Sequence, residues 1–205
     1  MTGTMPVCKT SLAFCKRYLA SVATGTKDRL LDVALRLFAR NGVAGTTVVE
    51  IEREAGLSPG SGSFYRHFED KDAVLQAVID REVRAAAAAR STRRPAASLE
   101  DEFRQALDGL DDMAGLVQLL AREGSGRSET LAPVRAVMAE GGAAEMAARL
   151  TDELPGNDDL DVEAVAAVAL FAVVGHHLAE RFFGLPVGVD RDRFAAALAT
   201  LVRGR

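Results

Sequence analysis

The sequence predicts an all-α fold that consists of a small N-terminal unit followed by a larger C-terminal helical unit. Composition is the first reason: hydrophobic residues make up 48% of the 205 residues but aromatic residues only 5%. That mixture, rich in alanine, favours helices over sheets. Periodicity is the second reason, because apolar side chains recur at the spacings of three and four that are typical of helices. Third, residues 99–205 give no competing strand signal.

The overall composition excludes several classes of function. The formal net charge is -4, so no basic excess indicates nucleic acid or an anionic membrane by itself. Cys8 and Cys15 are the only cysteines, which excludes a disulfide framework and favours the reducing cytoplasm. The longest apolar run, Val162 to Gly175, is shorter than the roughly 20 residues that span a bilayer. We therefore expect a cytoplasmic protein without a membrane span.

The first two helices are predicted from their caps and apolar faces. Residues 1–25 are interpreted as a basic extension or as extra residues from an upstream start codon. Helix one is expected to begin with Thr26 as its N-cap and to end at an Asn-Gly pair. Helix two, "TTVVEIEREAG", has Thr46 or Thr47 as N-cap, a capping box that Glu50 completes, and a closing glycine.

The stretch that follows, "GLSPGSGSFYRHF" at residues 56–68, is predicted to be a third short helix. Ser58 can cap it and Pro59 suits its first helical position. At about 100° per residue, Phe64 and Phe68 would then share the core side while Arg66 would point outward. Two short helices that are joined by a tight glycine-containing turn are the signature of a helix-turn-helix.

This third helix has the properties of one that enters the DNA major groove. Small residues in its first turns would allow close approach, and recognition helices read bases from their N-terminal residues. Arg66 could pair with guanine or phosphate, and the neighbouring side chains could contact bases or phosphates. The residues predicted to bind DNA on these grounds are Ser61, Gly62, Ser63, Tyr65, Arg66, His67 and Lys71.

A fourth helix, capped by Asp70, is predicted to connect the DNA-reading unit to the rest of the chain and to end at the cluster Arg93, Arg94, Pro95. We therefore expect an extension at 1–25, a three-helix DNA-binding domain at 26–72 and a C-terminal helical domain at 73–205. Within the last domain, helices are expected at about 99–109, 111–123, 129–153, 160–184 and 190–203.

Residues 26–81 resemble the tetracycline-repressor (TetR) family of bacterial transcription regulators, most specifically in "FYRHFEDKDAVL". The resemblance implies that Lys27 and either Thr46 or Thr47 also contact phosphates. It further implies that the last two long helices form a four-helix dimer interface and that the remaining helices enclose an effector pocket. One departure is evident, because six residues separate Ser58 from Tyr65 where the family commonly has four. The base-reading positions are therefore left open.

The C-terminal segment "DVEAVAAVALFAVVGHHLAERFFG" is apolar nearly all round, as expected for a helix that is buried on two sides. One side can face its own core and the other a partner subunit. The residues predicted to form the dimer interface are Val168, Phe171, Gly175, Leu178 and Phe182. The residues predicted to line the ligand site are Phe103, Met113, Leu116, Leu120, Met138 and His177. The alternative, that these residues belong to an ordinary core, is favoured for each of them.

We expect no catalytic residues, no metal and no cofactor. His176 and His177 are adjacent rather than four residues apart, so they would not chelate a metal from one helix face. The "GSGS" run has neither the preceding strand of a nucleophile elbow nor the GK[ST] of a phosphate loop. The sequence therefore predicts a homodimeric, ligand-responsive regulator, most simply a repressor, that binds a near-palindromic DNA operator. The alternative is an architectural DNA-binding protein with no effector.

Overall fold

The computed structural model describes residues 25–123, 129–137, 142–153, 161–185 and 188–204. The predicted extension at 1–25 therefore lies almost wholly outside the described residues. The described part is helical and contains no strand, which confirms the all-α class. Its helices are α1 (Thr26–Asn41), α2 (Val48–Glu54), α3 (Lys71–Ser91), α4 (Leu99–Asp112), α5 (Ala114–Glu123), α6 (Ala132–Ala136), α7 (Gly142–Glu153), α8 (Val162–Arg181) and α9 (Arg191–Val202).

Helix α1 forms the centre of the N-terminal unit. Its apolar side chains, among them Leu30 and Phe38, are fully buried, as its amphipathic pattern requires. Thr26 is the first helical residue, and the cap position is occupied by Gly25 without a side-chain hydrogen bond, so the predicted Thr26 cap is wrong. The predicted Asn-Gly end is confirmed, because Gly42 caps α1 with a φ of 77°.

Helix α2 begins with the predicted capping box. The Thr47 hydroxyl accepts a hydrogen bond from the Glu50 N–H at 3.2 Å, and the Glu50 carboxylate accepts one from the Thr47 N–H at 2.8 Å. The helix has 7 residues, so it makes two turns rather than the expected three. Gly56 follows with a φ of 71°, which agrees with its predicted role in closing the helix.

The expected third helix does not form as a regular helix. Residues 57–70 are a series of turns, held by local hydrogen bonds such as the one from the Phe68 N–H to the Phe64 carbonyl at 3.1 Å. Gly60 and Gly62 have φ angles of 77° and 73°, in the left-handed region that a right-handed helix cannot contain. Phe64 and Phe68 are nevertheless buried as predicted, so these two anchors reach the core without a helix.

Helix α3 connects the two parts of the chain. Asp70 caps it by accepting a hydrogen bond from the Ala73 N–H at 2.7 Å, and the helix ends just before the predicted Arg-Arg-Pro cluster. An ion pair of 2.8 Å between Arg81 and Asp32 joins α3 to α1. The predicted domain boundary at 72/73 falls in the first turn of α3, and the buried apolar residues on both sides of it belong to one connected cluster.

The described C-terminal helices follow the predicted order. Of the helix expected at 129–153, the structure describes α6 and α7, and residues 138–141 between them lie outside the described residues. Helices α7 and α8 pack together, and α9 packs against α4. By length and composition alone, α8 is the one helix among the described residues that could span a membrane. The core helix of a globular protein can share those properties, and one face of α8 is buried against the rest of the chain.

Candidate nucleic-acid interface

The turn between Phe64 and Phe68 presents three consecutive polar side chains at the surface. Tyr65 is 63% exposed, and Arg66 and His67 are exposed as well. The two buried phenylalanines on either side pack against each other with ring centroids 5.9 Å apart. Because its ends are anchored in the core, this short segment is held in a defined position although it is not helical.

The glycine-serine run lies directly before this turn and contacts it. The hydroxyls of Ser61 and Ser63 are 2.8 Å apart, and the Arg66 guanidinium donates to the Ser63 hydroxyl at 3.4 Å. No heavy atom would lie within 4 Å of a Cβ placed on Gly62, so this part of the backbone is open to an approaching surface. The structure therefore brings together four of the predicted DNA-binding positions.

Two lysines lie at the edges of the same region. The Lys27 ammonium is 5.7 Å from the centroid of the Phe68 ring, within the range of a cation–π contact. The Lys71 ammonium donates to the backbone carbonyl of Thr46 at 2.9 Å. Both positive charges therefore lie close to the elements that carry the exposed turn.

The two threonines at the start of α2 differ in exposure. The Thr46 side chain is buried and donates to the Gly42 carbonyl at 2.8 Å, so its hydroxyl is occupied inside the protein. Thr47 is exposed, and its hydroxyl donates to the Glu50 carboxylate at 2.8 Å. Of the two threonines, only Thr47 has its side chain at the surface. Hydrogen bonds from the Thr47 backbone and side chain lower the pKa of Glu50, so the capping carboxylate is ionised at neutral pH.

Acidic and basic side chains are equally frequent in the N-terminal unit. Residues 26–71 contain seven basic and seven acidic side chains, and part of the positive charge is balanced internally. Glu54 lies 3.3 Å from Arg40 and 3.8 Å from Arg36. Attraction to DNA would therefore depend on the cations around the exposed turn rather than on the net charge of the domain.

Glu52 is a residue of this region that the sequence analysis did not identify. Its side chain is only 2% exposed, and its two carboxylate oxygens accept hydrogen bonds from the Gly60 and Phe64 N–H groups at 2.8 and 3.1 Å. The available signal was an acidic residue next to the buried Ile51 in a short amphipathic helix. That signal is weak, because glutamate is common on the exposed faces of helices.

The predicted dimer residues divide into two groups. Val168 and Phe171 are 68% and 74% exposed, and Gly175 also faces open space. Leu178 and Phe182 are half-buried against the core. Helix α8 thus presents an exposed apolar face in its middle, whereas the apolar side chains at its C-terminal end pack against the core.

One small cavity, of about 90 Å³, lies between α3, α4, α7 and α8. Of the predicted pocket residues, Met113 lines it, whereas Phe103 and Leu116 are in the closed core and Leu120 is half-buried. Met138 lies outside the described residues.

The cavity walls combine apolar and charged side chains, namely Arg90, Arg93, Glu102, Glu145, Met113 and Met146. Burial raises the pKa of Glu102, although the nearby Arg149 opposes the shift.

His177, the remaining predicted pocket residue, lies elsewhere. Its ring is buried, with Nδ1 3.5 Å from a carboxylate oxygen of Asp111. Burial lowers its pKa, and Asp111 partly offsets this effect. Asp111 also accepts hydrogen bonds from Arg181 and Arg191, so this cluster links α4, α8 and α9. In the part of the chain that the structure describes, no group of three or more His, Cys, Asp or Glu side chains could hold a metal ion.

The described part of the chain is all-helical. Its N-terminal unit contains the capped helix α2 and the exposed Tyr65-Arg66-His67 turn, and its C-terminal unit consists of further helices. Residues 30–78 match the family model described as bacterial regulatory proteins, tetR family. The similarity to the TetR family is therefore established for this N-terminal segment.

Individual relatives agree with this assignment. The regulator UidR of Escherichia coli K12 is 30% identical over 122 residues, or 58% of this chain and 53% of UidR. The repressor KstR2 of Rhodococcus jostii is 39% identical over 56 residues, or 27% of this chain and 26% of KstR2. The solved structure of Salmonella enterica GusR is 22% identical, covers 87% of this chain and 94% of its own, and has a TM-score of 0.60. The chain spans about half or less of the length of the curated relatives that it matches.

Proposed function

We propose that this protein is a dimeric, sequence-specific DNA-binding regulator of transcription, and that it is a repressor which releases its operator when a small molecule binds its C-terminal domain. The observation that carries the DNA-binding part is the exposed Tyr65-Arg66-His67 turn, which is anchored by two buried phenylalanines beside the capped helix α2. Such a regulator acts in the cytoplasm and carries out no chemical reaction on its ligand.

The roles of the side chains follow from their positions. Tyr65, His67 and Lys71 contact phosphates and fix the orientation of the protein on the duplex. Arg66, which is exposed beside Ser63, is the candidate for reading a guanine edge or for binding a phosphate. Thr47 is the threonine that contacts phosphate from the start of α2, because the Thr46 hydroxyl is buried.

The exposed apolar face of α8 supports dimerisation. Soluble monomers rarely expose large contiguous apolar patches, and two copies of this face can cover each other about a two-fold axis. A two-fold dimer would bind two half-sites about 34 to 36 Å apart on a near-palindromic operator. Binding by two units would also compensate for the neutral charge balance of each DNA-binding domain.

The position of the cavity supports ligand control. The last turns of α3 supply Ala89, Arg90 and Arg93 to the cavity wall, and the other end of the same helix carries Lys71 beside the exposed turn. A ligand that enlarges this cavity of about 90 Å³ would push on α3. Displacement of α3 would change the separation of the two DNA-binding units, so ligand and operator would favour different conformations.

DNA binding is tested by selecting genomic fragments with the purified protein and measuring fluorescence anisotropy on the selected and a scrambled duplex at one salt concentration. We expect a near-palindromic sequence that is bound at least about 10³-fold more tightly than the scrambled control. Equal, salt-sensitive binding to both would favour an architectural protein instead. No binding to either would contradict the DNA-binding role.

Ligand control is tested by measuring thermal stabilisation with a small-molecule library. Ala106→Leu would fill part of the cavity that Ala106 lines, and we expect it to abolish stabilisation by any compound found. Ala148→Leu, on the exposed side of α7, is the matched control and should preserve it. A compound that stabilises both variants equally binds elsewhere and contradicts this assignment of the site.

A further inference from the structure

Glu52 has an environment that is unusual for a carboxylate. It lies in α2 and is only 2% exposed, and burial of a charged group without partners is strongly unfavourable. Both of its hydrogen-bond partners are backbone N–H groups in one loop, Gly60 at 2.8 Å on one oxygen and Phe64 at 3.1 Å on the other. The backbone carbonyl of Glu52 also accepts from the Leu57 N–H at 2.9 Å. One residue therefore fixes the loop at three points.

The loop needs these partners because it is not helical. In a helix that starts at Ser58, the Phe64 N–H would donate to the carbonyl four residues earlier, and the Gly60 N–H, in the first turn, would donate to the Ser58 cap. The left-handed conformations at Gly60 and Gly62 prevent that pattern, so the N–H groups of Gly60 and Phe64 depend on another acceptor. The Glu52 carboxylate supplies it, and charge-assisted hydrogen bonds of this kind are stronger than neutral ones.

We propose that Glu52 is a positioning residue for DNA recognition: its carboxylate holds the glycine-rich loop, and through Phe64 the exposed Tyr65-Arg66-His67 turn, in the geometry that a regular third helix would otherwise provide. This inference rests on the proposed DNA-binding function. Glu52 itself does not contact DNA, because its side chain is buried beneath the loop.

The chemistry of the site specifies glutamate. Each carboxylate oxygen accepts from a different N–H group, and glutamine has a single acceptor oxygen. Its NH₂ group would face one of the two donors, so Glu52→Gln would leave at least one N–H group unpaired with almost no change in side-chain volume. Aspartate is one methylene shorter and would not reach both donors from the same helix position.

The test compares Glu52→Gln with Glu54→Gln in the full-length chain. Glu54 lies in the same helix and pairs with Arg36 and Arg40 rather than with the loop, so the control makes the same change in charge. We expect Glu52→Gln to weaken binding to the selected operator roughly 10- to 100-fold. Its affinity for scrambled DNA, and the change of that affinity with salt concentration, should stay within twofold of those of the control variant. Equal operator affinity of the two variants overturns the proposal.

Amide hydrogen exchange gives a readout that is independent of DNA. In the wild type, we expect protection of the Gly60 and Phe64 N–H groups, and in Glu52→Gln faster exchange at one or both of them without a change in α1. Unchanged protection in Glu52→Gln overturns the proposal. If the wild type shows protection but binds no DNA, the proposed function fails and the recognition role of Glu52 fails with it.

Deletion of Ser61 and Gly62 separates loop positioning from general stability. The deletion leaves "SPGSFYRHF", in which four residues separate Ser58 from Tyr65, and it removes one of the two left-handed glycines. A helix that is capped by Ser58 can then satisfy the loop N–H groups. In this background, Glu52→Gln should therefore change the midpoint of unfolding by less than it does in the full-length chain. An equal or larger shift would assign Glu52 to core stability alone and overturn the proposal.

Discussion

Phe171 provides the most direct test of the proposed dimer. Its side chain is 74% exposed in the middle of α8, and a phenylalanine can bury about 200 Å². Coverage of the exposed part by a partner would stabilise association by about 3 to 4 kcal/mol per side chain, at about 25 cal/mol per Å². Alanine would keep about a third of this contribution, so Phe171→Ala should cost about 5 kcal/mol per two-fold dimer.

A loss of about 5 kcal/mol corresponds to a dissociation constant that rises by more than about 10³-fold. Sedimentation equilibrium over a range of protein concentrations measures this change. Val49→Ala is the control, because Val49 is also an exposed apolar residue but lies in α2. A dimer of unchanged affinity in Phe171→Ala would refute the assignment of this face, as would a wild-type protein that is monomeric at all concentrations.

Three further predictions concern folding stability. Thr47→Ala removes the capping-box hydroxyl and should lower the free energy of unfolding by about 1 kcal/mol in urea titrations; a change near zero would contradict the cap. Phe103→Ala, within the closed core of α4, should cost about 3 to 5 kcal/mol in the same assay, and a much smaller cost would indicate that Phe103 faces a cavity. The third concerns His177, whose pKa is lowered in the folded state below 6.5 by burial. The His177 side chain therefore takes up a proton at a higher pH in the unfolded chain than in the folded one. As the pH falls below about 6.5, this protonation of the unfolded chain lowers the free energy of unfolding. His177→Gln should flatten the dependence of the unfolding free energy between pH 7.5 and 5.5, by at most about 1.4 kcal/mol per pH unit, and an unchanged slope would show that His177 is not the titrating group.

Local signals predicted most of the helices correctly. The sequence correctly predicted the capping box of Thr47 and Glu50 and the Asp70 cap of α3. It also correctly predicted the burial of Phe64 and Phe68. Each depends on residues within one or two turns of each other, and therefore on short-range backbone geometry and apolar periodicity. The Gly25 cap of α1 was missed because a threonine next to it is the stronger N-cap by propensity.

The candidate site was predicted only in part. The sequence located the surface residues Tyr65, Arg66 and His67, but it favoured a helix where the chain forms turns. Ser58 and Pro59 are good helix-starting residues, and they outweighed the evidence from two closely spaced glycines. The sequence also left Thr46 and Thr47 equivalent, whereas packing buries the first and exposes the second.

By itself, the sequence determined the all-α class, the order of the main helices and the exposed polar positions of the Tyr65-Arg66-His67 turn. Those properties follow from periodicity, capping and side-chain chemistry, which act over a few residues. Tertiary structure decided the buried position of Glu52, the cavity between α3, α4, α7 and α8, and the side of α8 that remains exposed. These depend on contacts between distant segments, such as the hydrogen bond from the Val43 N–H to the Glu123 carboxylate at 2.8 Å. No local pattern encodes such contacts, because they form only when the whole core assembles.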